Sequence, residues 1–572
     1  MKKTALIVVT LVLVAGGGIF YFLRHQHPVR QDDYATYLPA DTLAVTSIRD
    51  LNGLVDRFPE TPLGRFLAKE NVAAMLAEIE AGPEALQEYN QAYDRIFSVL
   101  HNPGFRMVFG DDVDLALLPF SPAGLDGDPE KTLRESLVIL ATTASASTLK
   151  RIAGTTLHGQ VESIEDNGVA MTRIRMDEAR YLYAVSRDNR LLIGFTPAAL
   201  HRCLAARNSG RHLAATENFG AALAFWQQPV RGKVHVREFV QIDVIVPLLS
   251  GSEDAAMREM GRYLRGMRLA AGQAVAQDRE WLNTSICKYA YEQLDPAVRQ
   301  LVDDANGKNI TLHLLKNNPL LYSWSAGFDA LSWLKDLQKR DPDRYRKWAS
   351  SLRGDLGVSP EQTAASLGPQ YGFSLEKIGQ GGMFPLPRFV AFVQVRDRTV
   401  AGRLLAGIRK KIAARGVGGY REEQVDPYTL YSWTLLPGEA TRPSYVLGAD
   451  LLYVANNPDD LKNLLAVENE RERLPEKVME RLGYFGDQVQ QANNGVLLFW
   501  PHRFARQIRT AADWLAGLIA SGKGIRVKRI KEEILTLLGA TRLVVCTASL
   551  YPDHGVAALA FVAQEEKKRD ER

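Results

Sequence analysis

Apolar and polar positions follow a similar order in the two halves of the chain. Leu191–Leu200 has an apolar run, a break at Pro197 and a helix-like start, and Leu451–Leu461 repeats this 260 residues later, with Pro458 at the break. Proline suits the first turn of a helix but not the ladder of a strand, because it has no backbone N–H to donate. Both stretches therefore predict a strand followed by a helix.

Four other pairs of segments recur in the same order, at separations that drift as loop insertions would make them drift. Chance similarity between strand–helix units is the alternative, but the shared order favours a true duplication. The pairs are Gly110–Leu117 with Leu367–Leu375, Ser136–Ser145 with Arg388–Asp397, the turn Asp166–Gly168 with Asp426–Pro427, and Tyr263–Ala271 with Leu537–Val545.

Strands, hairpins and helices are mixed in each half, which predicts an α+β fold. The turn Asp166–Gly168 favours a hairpin because Asn and Gly readily adopt positive φ, and hairpins exclude a wholly parallel sheet. We expect two related lobes, each of mainly antiparallel sheet with covering helices. The first lobe is predicted over residues 38–306 and the second over 307–564, followed by a charged tail over 565–572.

A membrane signal opens the chain. Lys2 and Lys3 precede the uncharged run Thr4–Leu23, which is long enough to span a bilayer as a helix, and Arg24 ends it. A cleaved signal peptide is the alternative, although its apolar region is usually shorter. Cleavage within Ala15–Gly18 stays open.

We therefore expect a transmembrane anchor over residues 1–24 and a polar stalk over 25–37. The positive charges at the amino terminus favour an inside start, so the bulk of the chain is predicted to lie outside the cytoplasm. The predicted location is the inner (cytoplasmic) membrane, with a single span and the carboxyl-terminal bulk in the periplasm or outside.

Composition narrows the partners. The hydrophobic share of 46% and the charged share of 24% are those of a globular protein. A net charge of +4 over 572 residues gives no reason to expect nucleic acid without a concentrated basic patch. Cys203, Cys287 and Cys546 are too few and too widely spaced for a disulfide framework, and they are interpreted as buried small hydrophobes.

The anchor, the opening Leu38–Leu51 with its LPADT turn and strand, and the repeated blocks of strand, glycine, strand and proline-started helix resemble uncharacterised bacterial families of anchored envelope proteins. The resemblance, to a domain of unknown function with duplicated α+β lobes, covers most of the chain. It implies a location and an architecture. It implies no catalytic residue, since those families have no established activity.

Two stretches match fragments of catalytic motifs. Ser147–Lys150 fits S-x-x-K, but no K-T-G triad accompanies it, and helix capping by Ser147 explains the residue. Gly517–Lys523 fits the first part of a P-loop, but Gly524 replaces the hydroxyl that would meet magnesium. The stretch before it is also helix-like rather than a strand, so no catalytic or cofactor-binding residue is assigned.

Metal sites have weak candidates. The histidines, among them His158, His201, His235, His313 and His502, lack H-E-x-x-H or clustered spacing. The best set of oxygen ligands for a cation such as calcium is acidic: Asp111, Asp112 and Asp114, with Asp126 and Asp128 nearby. A solvated acidic turn is the favoured interpretation, and no metal ligand is assigned, although cation binding by the first three stays open.

A basic run near the carboxyl terminus could meet an anionic surface. The favoured interpretation is the wet face of a helix whose dry face is apolar. The run is Lys523, Arg526, Lys528, Arg529 and Lys531, and the predicted dry face is Ile530, Ile534, Leu537 and Leu538.

These patterns predict a single-pass, membrane-anchored, extracytoplasmic protein with a non-catalytic binding or assembly role in the bacterial cell envelope. The expected partners are the membrane, through the amino-terminal helix, and an envelope protein or component, without nucleic acid or a cofactor. The alternatives are an envelope-polymer hydrolase, with a site formed between the lobes, and a structural spacer. Enzymatic activity is left open, with a binding role favoured.

Overall fold

A large antiparallel sheet with helices packed against it makes this chain an α+β protein, as its pattern predicts. In the part of the chain that the computed structural model describes, no helix is long and apolar enough to cross a bilayer. The predicted anchor Thr4–Leu23 lies outside that part. The described ranges are 33–109, 112–142, 161–175, 180–188, 190–277, 279–305, 307–379, 386–414, 419–434, 442–468, 474–523 and 527–565.

The chain divides into two compact units. The first unit runs to Asp295 and also takes in Val527–Glu533 and Asp553–Val556. The second unit consists of Pro296–Arg526, Ile534–Pro552 and the residues from Ala557 onward. The first unit therefore contains two short segments from the far end of the sequence.

The first part of the chain supplies these strands: β1 (Ala44–Arg49), β2 (Asp112–Leu117), β3 (Leu137–Thr142), β4 (Val161–Asp166), β5 (Val169–Arg175), β6 (Tyr181–Arg187), β7 (Arg190–Gly194), β8 (Lys233–Gln241), β9 (Met267–Gln277) and β10 (Glu280–Tyr289). Its α-helices are α1 (Leu51–Arg57), α2 (Pro62–Phe66), α3 (Lys69–Glu78), α4 (Pro83–Leu100), α5 (Pro103–Phe109), α6 (Pro122–Gly127), α7 (Pro129–Ser136), α8 (Pro197–Ser209), α9 (Glu217–Trp226), α10 (Ile242–Ser250) and α11 (Ala255–Tyr263).

The remaining strands are β11 (Leu321–Ser325), β12 (Leu367–Ile378), β13 (Pro387–Val395), β14 (Gly419–Val425), β15 (Tyr428–Thr434), β16 (Ser444–Leu447), β17 (Leu451–Ala455), β18 (Gly495–Phe499), β19 (Thr541–Leu550) and β20 (His554–Ala563). The remaining α-helices are α12 (Pro296–Asp304), α13 (Ala330–Arg340), α14 (Pro342–Ser351), α15 (Pro360–Ala365), α16 (Arg398–Ala414), α17 (Pro458–Leu465), α18 (Glu476–Leu482), α19 (Phe485–Gln491), α20 (Pro501–Lys523) and α21 (Lys528–Gly539). Short 3-10 turns include Leu312–Asn317.

The strands of the two units pair in the same order. In the first unit the order is β4–β5–β6–β7–β3–β2–β1–β8–β9–β10, with antiparallel pairs. In the second unit it is β14–β15–β16–β17–β13–β12–β11–β18–β19, again antiparallel, and β20 pairs with β19. Each strand of the second order carries the number of its counterpart plus ten.

The strand–proline–helix pattern is confirmed in both halves. β7 leads to α8, where the Thr196 hydroxyl accepts a hydrogen bond from the Ala199 N–H at 3.3 Å. β17 leads to α17, where the Asn457 side chain accepts from the Asp459 N–H at 2.9 Å. Side-chain oxygens at this position satisfy N–H groups that the helix cannot pair internally, which is why each helix begins at its proline.

The predicted hairpin at Asp166–Gly168 is also confirmed. Asn167 and Gly168 have φ values of 48° and 76°, the left-handed conformation that a tight hairpin turn requires. β4 and β5 pair on either side of it, with Asp166 opposite Val169. By contrast, the helix predicted to start near Ser147 lies outside the described residues.

Aromatic side chains occupy the core of the first unit. Tyr34, Phe219 and Phe239 are fully buried with edge-to-face ring contacts, and Trp226 packs in the same cluster. The Trp226 indole N–H donates to the Gly272 carbonyl at 2.9 Å. A buried indole needs such a partner, so this bond fixes α9 against β9.

Val527–Glu533, one of the two short segments that join the first unit, contacts α3. The Glu78 carboxylate accepts hydrogen bonds from the backbone N–H groups of Arg529, at 2.8 Å, and of Ile530, at 3.0 Å. The Arg529 guanidinium donates to the Asn71 side-chain oxygen at 3.0 Å. A carboxylate at the start of a helix meets both unpaired N–H groups and the positive end of the helix dipole. Glu78 therefore supplies the amino-terminal cap of α21.

Candidate functional site

The candidate site lies entirely in the second unit, next to an irregularity in the backbone pairing of β12 with β13. Leu375 faces Phe389, but the next paired residue is Lys377, which faces Arg388. Glu376 is thus the extra residue of a bulge, and a bulge re-aims the side chains around it. The Ser374 hydroxyl donates to a Glu376 carboxylate oxygen at 2.6 Å.

A buried ion pair forms the next part of the site. Arg388 Nε donates to Asp460 Oδ2 at 2.8 Å, and a second guanidinium nitrogen donates to Asp460 Oδ1. The two side chains are only 14% and 6% exposed. Asp460 belongs to the first turn of α17, where the helix dipole favours a carboxylate. The forked geometry fixes both side chains, as bidentate arginine–carboxylate pairs do.

A cavity of about 370 Å³ opens beside this pair. Its wall consists entirely of polar and charged residues contributed by the turn Leu312–Asn317, the end of β12, the start of β13 and α17. The lining residues are Asn317, Glu376, Lys377, Arg388, Asp459, Asp460 and Asn463. This volume lies within the range of small-molecule sites, which run from about 300 to 1,000 Å³.

The environment of Glu376 changes its protonation. The pKa of Glu376 is raised to about 7, chiefly by burial and in part by the Asp460 carboxylate, while the Ser374 hydroxyl, Arg388 and Arg503 act in the opposite direction. A carboxyl group with this pKa is partly protonated at neutral pH and can then donate as well as accept a hydrogen bond. Perturbed carboxyl groups beside a cavity mark candidate functional sites.

The described residues of the acidic cluster that the sequence singled out pair with basic or backbone groups of the protein. Asp114 lies in β2 with its side chain fully buried, 3.4 Å from an Arg49 nitrogen and 3.7 Å from an Arg190 nitrogen. The solvated turn was therefore the wrong interpretation for Asp114. Asp112 also pairs with Arg49, at 3.7 Å, because residues two apart on a strand share a face. Asp111 lies outside the described residues.

The other two acidic residues have separate structural roles. Asp126 accepts from the Ser252 hydroxyl at 2.7 Å and from the Glu253 N–H at 3.0 Å, and these bonds lower its pKa. Asp128 caps α7 through the Lys131 N–H. Among the described residues, no group of three or more His, Cys, Asp or Glu side chains is placed to hold a metal ion.

The described histidines among the metal-ligand candidates lie apart from one another in the fold. His201 contacts Asp166 at 2.7 Å and His502 contacts the Arg542 carbonyl at 2.9 Å. His313 is fully buried in the second unit, 3.1 Å from a Glu468 oxygen that also accepts from the Tyr453 hydroxyl. His235 is fully buried in β8, and burial, with a contribution from Lys233, lowers its pKa to about 3. His158 lies outside the described residues.

The remaining sequence candidates have ordinary structural settings. Gly517–Lys523 lies inside α20, so this stretch is not the strand-to-helix loop of a P-loop. In the basic run, Arg529 lies 3.9 Å from Glu533 and also donates to Asn71 of α3, and Lys531 lies 3.1 Å from Glu532 with its side chain only 14% exposed. The solvated helix face was therefore the wrong interpretation for Lys531. The predicted dry face was partly wrong, since Leu535 is buried and Ile534 is 44% exposed. The cysteine thiols are free.

One face of the second unit's sheet carries exposed apolar side chains. Phe373 of β12 faces Ala391 of β13, which faces Val454 of β17, so the three lie in one cross-strand row. Tyr371 shares this face because it precedes Phe373 by two residues, and Phe389 shares it from β13. The exposed fractions are 43% for Tyr371, 44% for Phe373, 37% for Phe389 and 41% for Val454. We call these four residues the open face.

Comparison with known proteins adds little to this geometry. No protein-family model matches the chain, and no curated protein matches it. Among solved structures, crystal form III of TP0453 is 9% identical, with a TM-score of 0.24, and the match covers 49% of this chain and 87% of that one. Crystal form I of the same protein is 7% identical, with a TM-score of 0.23, covering 46% and 82%. Similarity at this level supports no conclusion about fold or function.

Sequence reasoning did not single out the residues of the cavity. Arg388 and Asp460 are 72 positions apart, and nothing local to either one indicates the other. A weak signal was present at Pro458, where a proline-started helix carries two successive aspartates in its first turn. The open face had a clearer signal, because Tyr371 and Phe373 alternate with Gln370, Gly372 and Ser374 as in a half-buried strand.

Proposed function

We propose that this chain is a single-pass, membrane-anchored, extracytoplasmic protein with a non-catalytic binding or assembly role in the bacterial cell envelope. The span is the uncharged segment Thr4–Leu23, whose length suits a bilayer-crossing helix. The positive charges before it support an orientation with the body outside the cytoplasm.

We further propose that the two units are duplicated copies of one lobe. The shared strand order supports this, because ten antiparallel strands can be connected in many ways. The paired sequence segments, with Pro197 and Pro458 at matching joints, support it independently. Duplicated lobes are free to diverge, so one can keep a structural role while the other acquires a binding surface.

The open face is the observation that carries the binding role. The side chains of the open face are exposed together on neighbouring paired strands, and contiguous exposed apolar patches mark interaction sites. The occupant we propose is another envelope protein. Aromatic side chains are enriched at the centres of protein interfaces, whereas surfaces that enter lipid commonly use an amphipathic helix with a basic face.

In-cell photo-crosslinking tests this role. A photoreactive phenylalanine at position 373 or 454 is expected to capture one and the same envelope protein, while the probe at Trp333, an exposed aromatic of α13, does not. The captured protein, purified, should bind wild-type chain and lose affinity for Phe373→Ser by about 1–3 kcal/mol, the cost of an interface aromatic. Capture of lipid, of a second copy of this chain, or of the same products at position 333 would contradict the proposal.

The location needs its own test. A periplasmic reporter fused after residue 35 is expected to be active, and the same fusion to a chain lacking residues 4–23 is expected to be inactive. Reporter activity on the cytoplasmic side would overturn the proposed topology, whatever the outcome of the crosslinking.

A further inference from the structure

The charge balance of the cavity in the second unit is close to neutral. Arg388 and Asp460 neutralise each other through their paired hydrogen bonds. Lys377 and Asp459 contribute one positive and one negative charge to the remaining wall. Glu376 adds a carboxyl group whose burial raises its pKa to about 7, so near neutral pH it carries only part of a charge. The wall is strongly polar without a dominant sign.

The wall also offers both donors and acceptors. Lys377 donates, Asp459 accepts, and the amides of Asn317 and Asn463 do both. Within the described part of the chain, the side chains of these four residues have no hydrogen bond or ion pair with other protein groups. Their polar atoms are therefore available to a molecule in the cavity.

This chemistry disfavours ions. An anion would meet the carboxylates of Asp459 and Asp460, and a cation would meet Lys377 and the guanidinium of Arg388. A neutral molecule with several hydroxyl groups avoids both repulsions, because each hydroxyl donates to a carboxylate and accepts from an ammonium or amide group. A sugar ring carries hydroxyl groups around its edge. These can bond to donors and acceptors that come from different elements around the cavity.

We propose that the cavity lined by Glu376, Lys377, Arg388, Asp459, Asp460 and Asn463 binds a neutral sugar ring, free or as part of a glycan. The proposed bond pattern has Asp459 and Glu376 accepting from ring hydroxyls, and Lys377 and Asn463 donating to them. The Arg388–Asp460 pair holds β13 against α17 and so keeps the cavity in shape. This site goes beyond the envelope role proposed above and does not depend on the open face or on the membrane location.

Three probes with the same ring and different charge test the proposal. Glucose, glucuronate and glucosamine are titrated to about 10 mM against the full chain in lipid nanodiscs, free of sugar-based detergents, with saturation-transfer NMR as the readout. The measurement is made at about pH 6, where glucosamine is a cation and glucuronate an anion. We expect glucose to bind more tightly than either charged ring.

Two variants and a control locate the binding. Asn463→Ala removes one hydrogen bond, and Asp459→Asn replaces a charge-assisted hydrogen bond with a neutral one, so each is expected to weaken glucose binding by about 2- to 10-fold. Lys462→Ala is the control, because this neighbour in α17 pairs with Glu423 and does not line the cavity. Circular dichroism checks that all three variants stay folded.

Each other outcome overturns the proposal. Tighter binding of glucuronate would indicate an anion site, and tighter binding of glucosamine a cation site. No binding of glucose at the highest concentration, or binding that Asn463→Ala and Asp459→Asn leave unchanged, would rule out a sugar site in this cavity. A cytoplasmic result in the reporter test would leave the sugar site standing, so the two proposals fail separately.

Discussion

The two units share a strand order but differ at corresponding places in their sheets. When the correspondence of Gly110 with Gly368 is carried along the strand, Asp114 of β2 matches Gly372 of β12. Asp114 is a buried carboxylate between Arg49 and Arg190. Gly372 instead leaves room for its neighbours, since an added Cβ would lie 2.0 Å from the Ser323 carbonyl oxygen. One sheet centre is ionic, and the other is closely packed and uncharged.

The neighbouring positions differ as well. Leu115, Ile139 and Ile193 form the cross-strand row of the first unit, and Ile193 is buried in a cluster that Phe109 of α5 joins. The matching row of the second unit contains Phe373 and Val454 of the open face. One strand topology therefore accommodates either a buried row or an exposed row, depending on which side chains occupy the row and on what covers them.

Removing the buried carboxylate should have the largest effect. Asp114→Ala leaves Arg49 and Arg190 without their shared partner and is expected to destabilise the first unit by about 3–5 kcal/mol, the usual cost of breaking a buried ion pair. Urea denaturation with hydrogen exchange assigned to each unit measures this. Asp112→Ala is the control, because Asp112 is more exposed and should cost less than about 1 kcal/mol. Equal destabilisation by Asp114→Ala and Asp112→Ala would show that the buried carboxylate has no special role in the first unit.

Adding a methyl group at Gly372, the residue that matches Asp114, should have the next largest effect on stability. Gly372→Ala forces a Cβ against the Ser323 carbonyl and the Phe392 ring, so we expect a loss of about 2–3 kcal/mol in the second unit. Gly354→Ala, where an added Cβ meets nothing within 4 Å, is the control. The same denaturation assay checks both variants. If Gly372→Ala left the free energy of unfolding unchanged, β11 and β13 would have to move apart to make room for the Cβ.

Acid should weaken the first unit through His235. Its folded pKa of about 3 lies below the unfolded value of 6.5, so the unfolded state binds the proton first. Stability from the neutral imidazole is complete above pH 6.5 and declines as pH falls toward 3, by about 2 kcal/mol between pH 6.5 and 5. Unfolding midpoints measured at each pH test this, with His235→Gln flattening the slope. A wild-type midpoint that does not change with pH would contradict the expectation.

Alkali should weaken the second unit through Glu376. Its folded pKa of about 7 lies above the unfolded value of 4.5, so the folded state holds the proton more tightly. The stability that this proton brings is complete below pH 4.5 and is lost as pH rises through 7. Glu376→Gln is therefore expected to stabilise the unit above pH 7 by about 1–2 kcal/mol and to leave it unchanged near pH 4, in the same unfolding assay. Destabilisation at both pH values would show that the carboxylate is needed in its charged form.

Local patterns in the sequence predict much of this fold. A proline after an apolar run predicts the start of α8 and of α17, and Asn167–Gly168 predicts a hairpin, because each depends on backbone geometry within a few residues. The α+β class follows from such elements. The counterparts β8 and β18, which lie next to β1 and β11, were not identified, since their places depend on long-range pairing.

The candidate site could not be predicted from the sequence either, because it also depends on contacts between residues that are far apart in the chain. Glu376 stands out only once a bulge and burial have changed its environment, and the partner of Arg388 lies in a helix that follows four further strands. Asp114 shows the opposite error. Its acidic neighbours predict a wet turn, but two arginines distant in sequence draw it into the core.

The cap that Glu78 places on α21 bears on how the protein is made. Arg529 and Ile530 leave the ribosome some 450 residues after Glu78, so α3 is synthesised long before the segment that completes it. Domains generally fold as units, the amino-terminal one first during synthesis. Here the first unit receives Val527–Glu533 and Asp553–Val556 only after Pro296–Arg526 of the second unit has been synthesised. A chain that stops before Val527 would lack part of the first unit as well as part of the second, so the first unit cannot be completed until most of the second has been made.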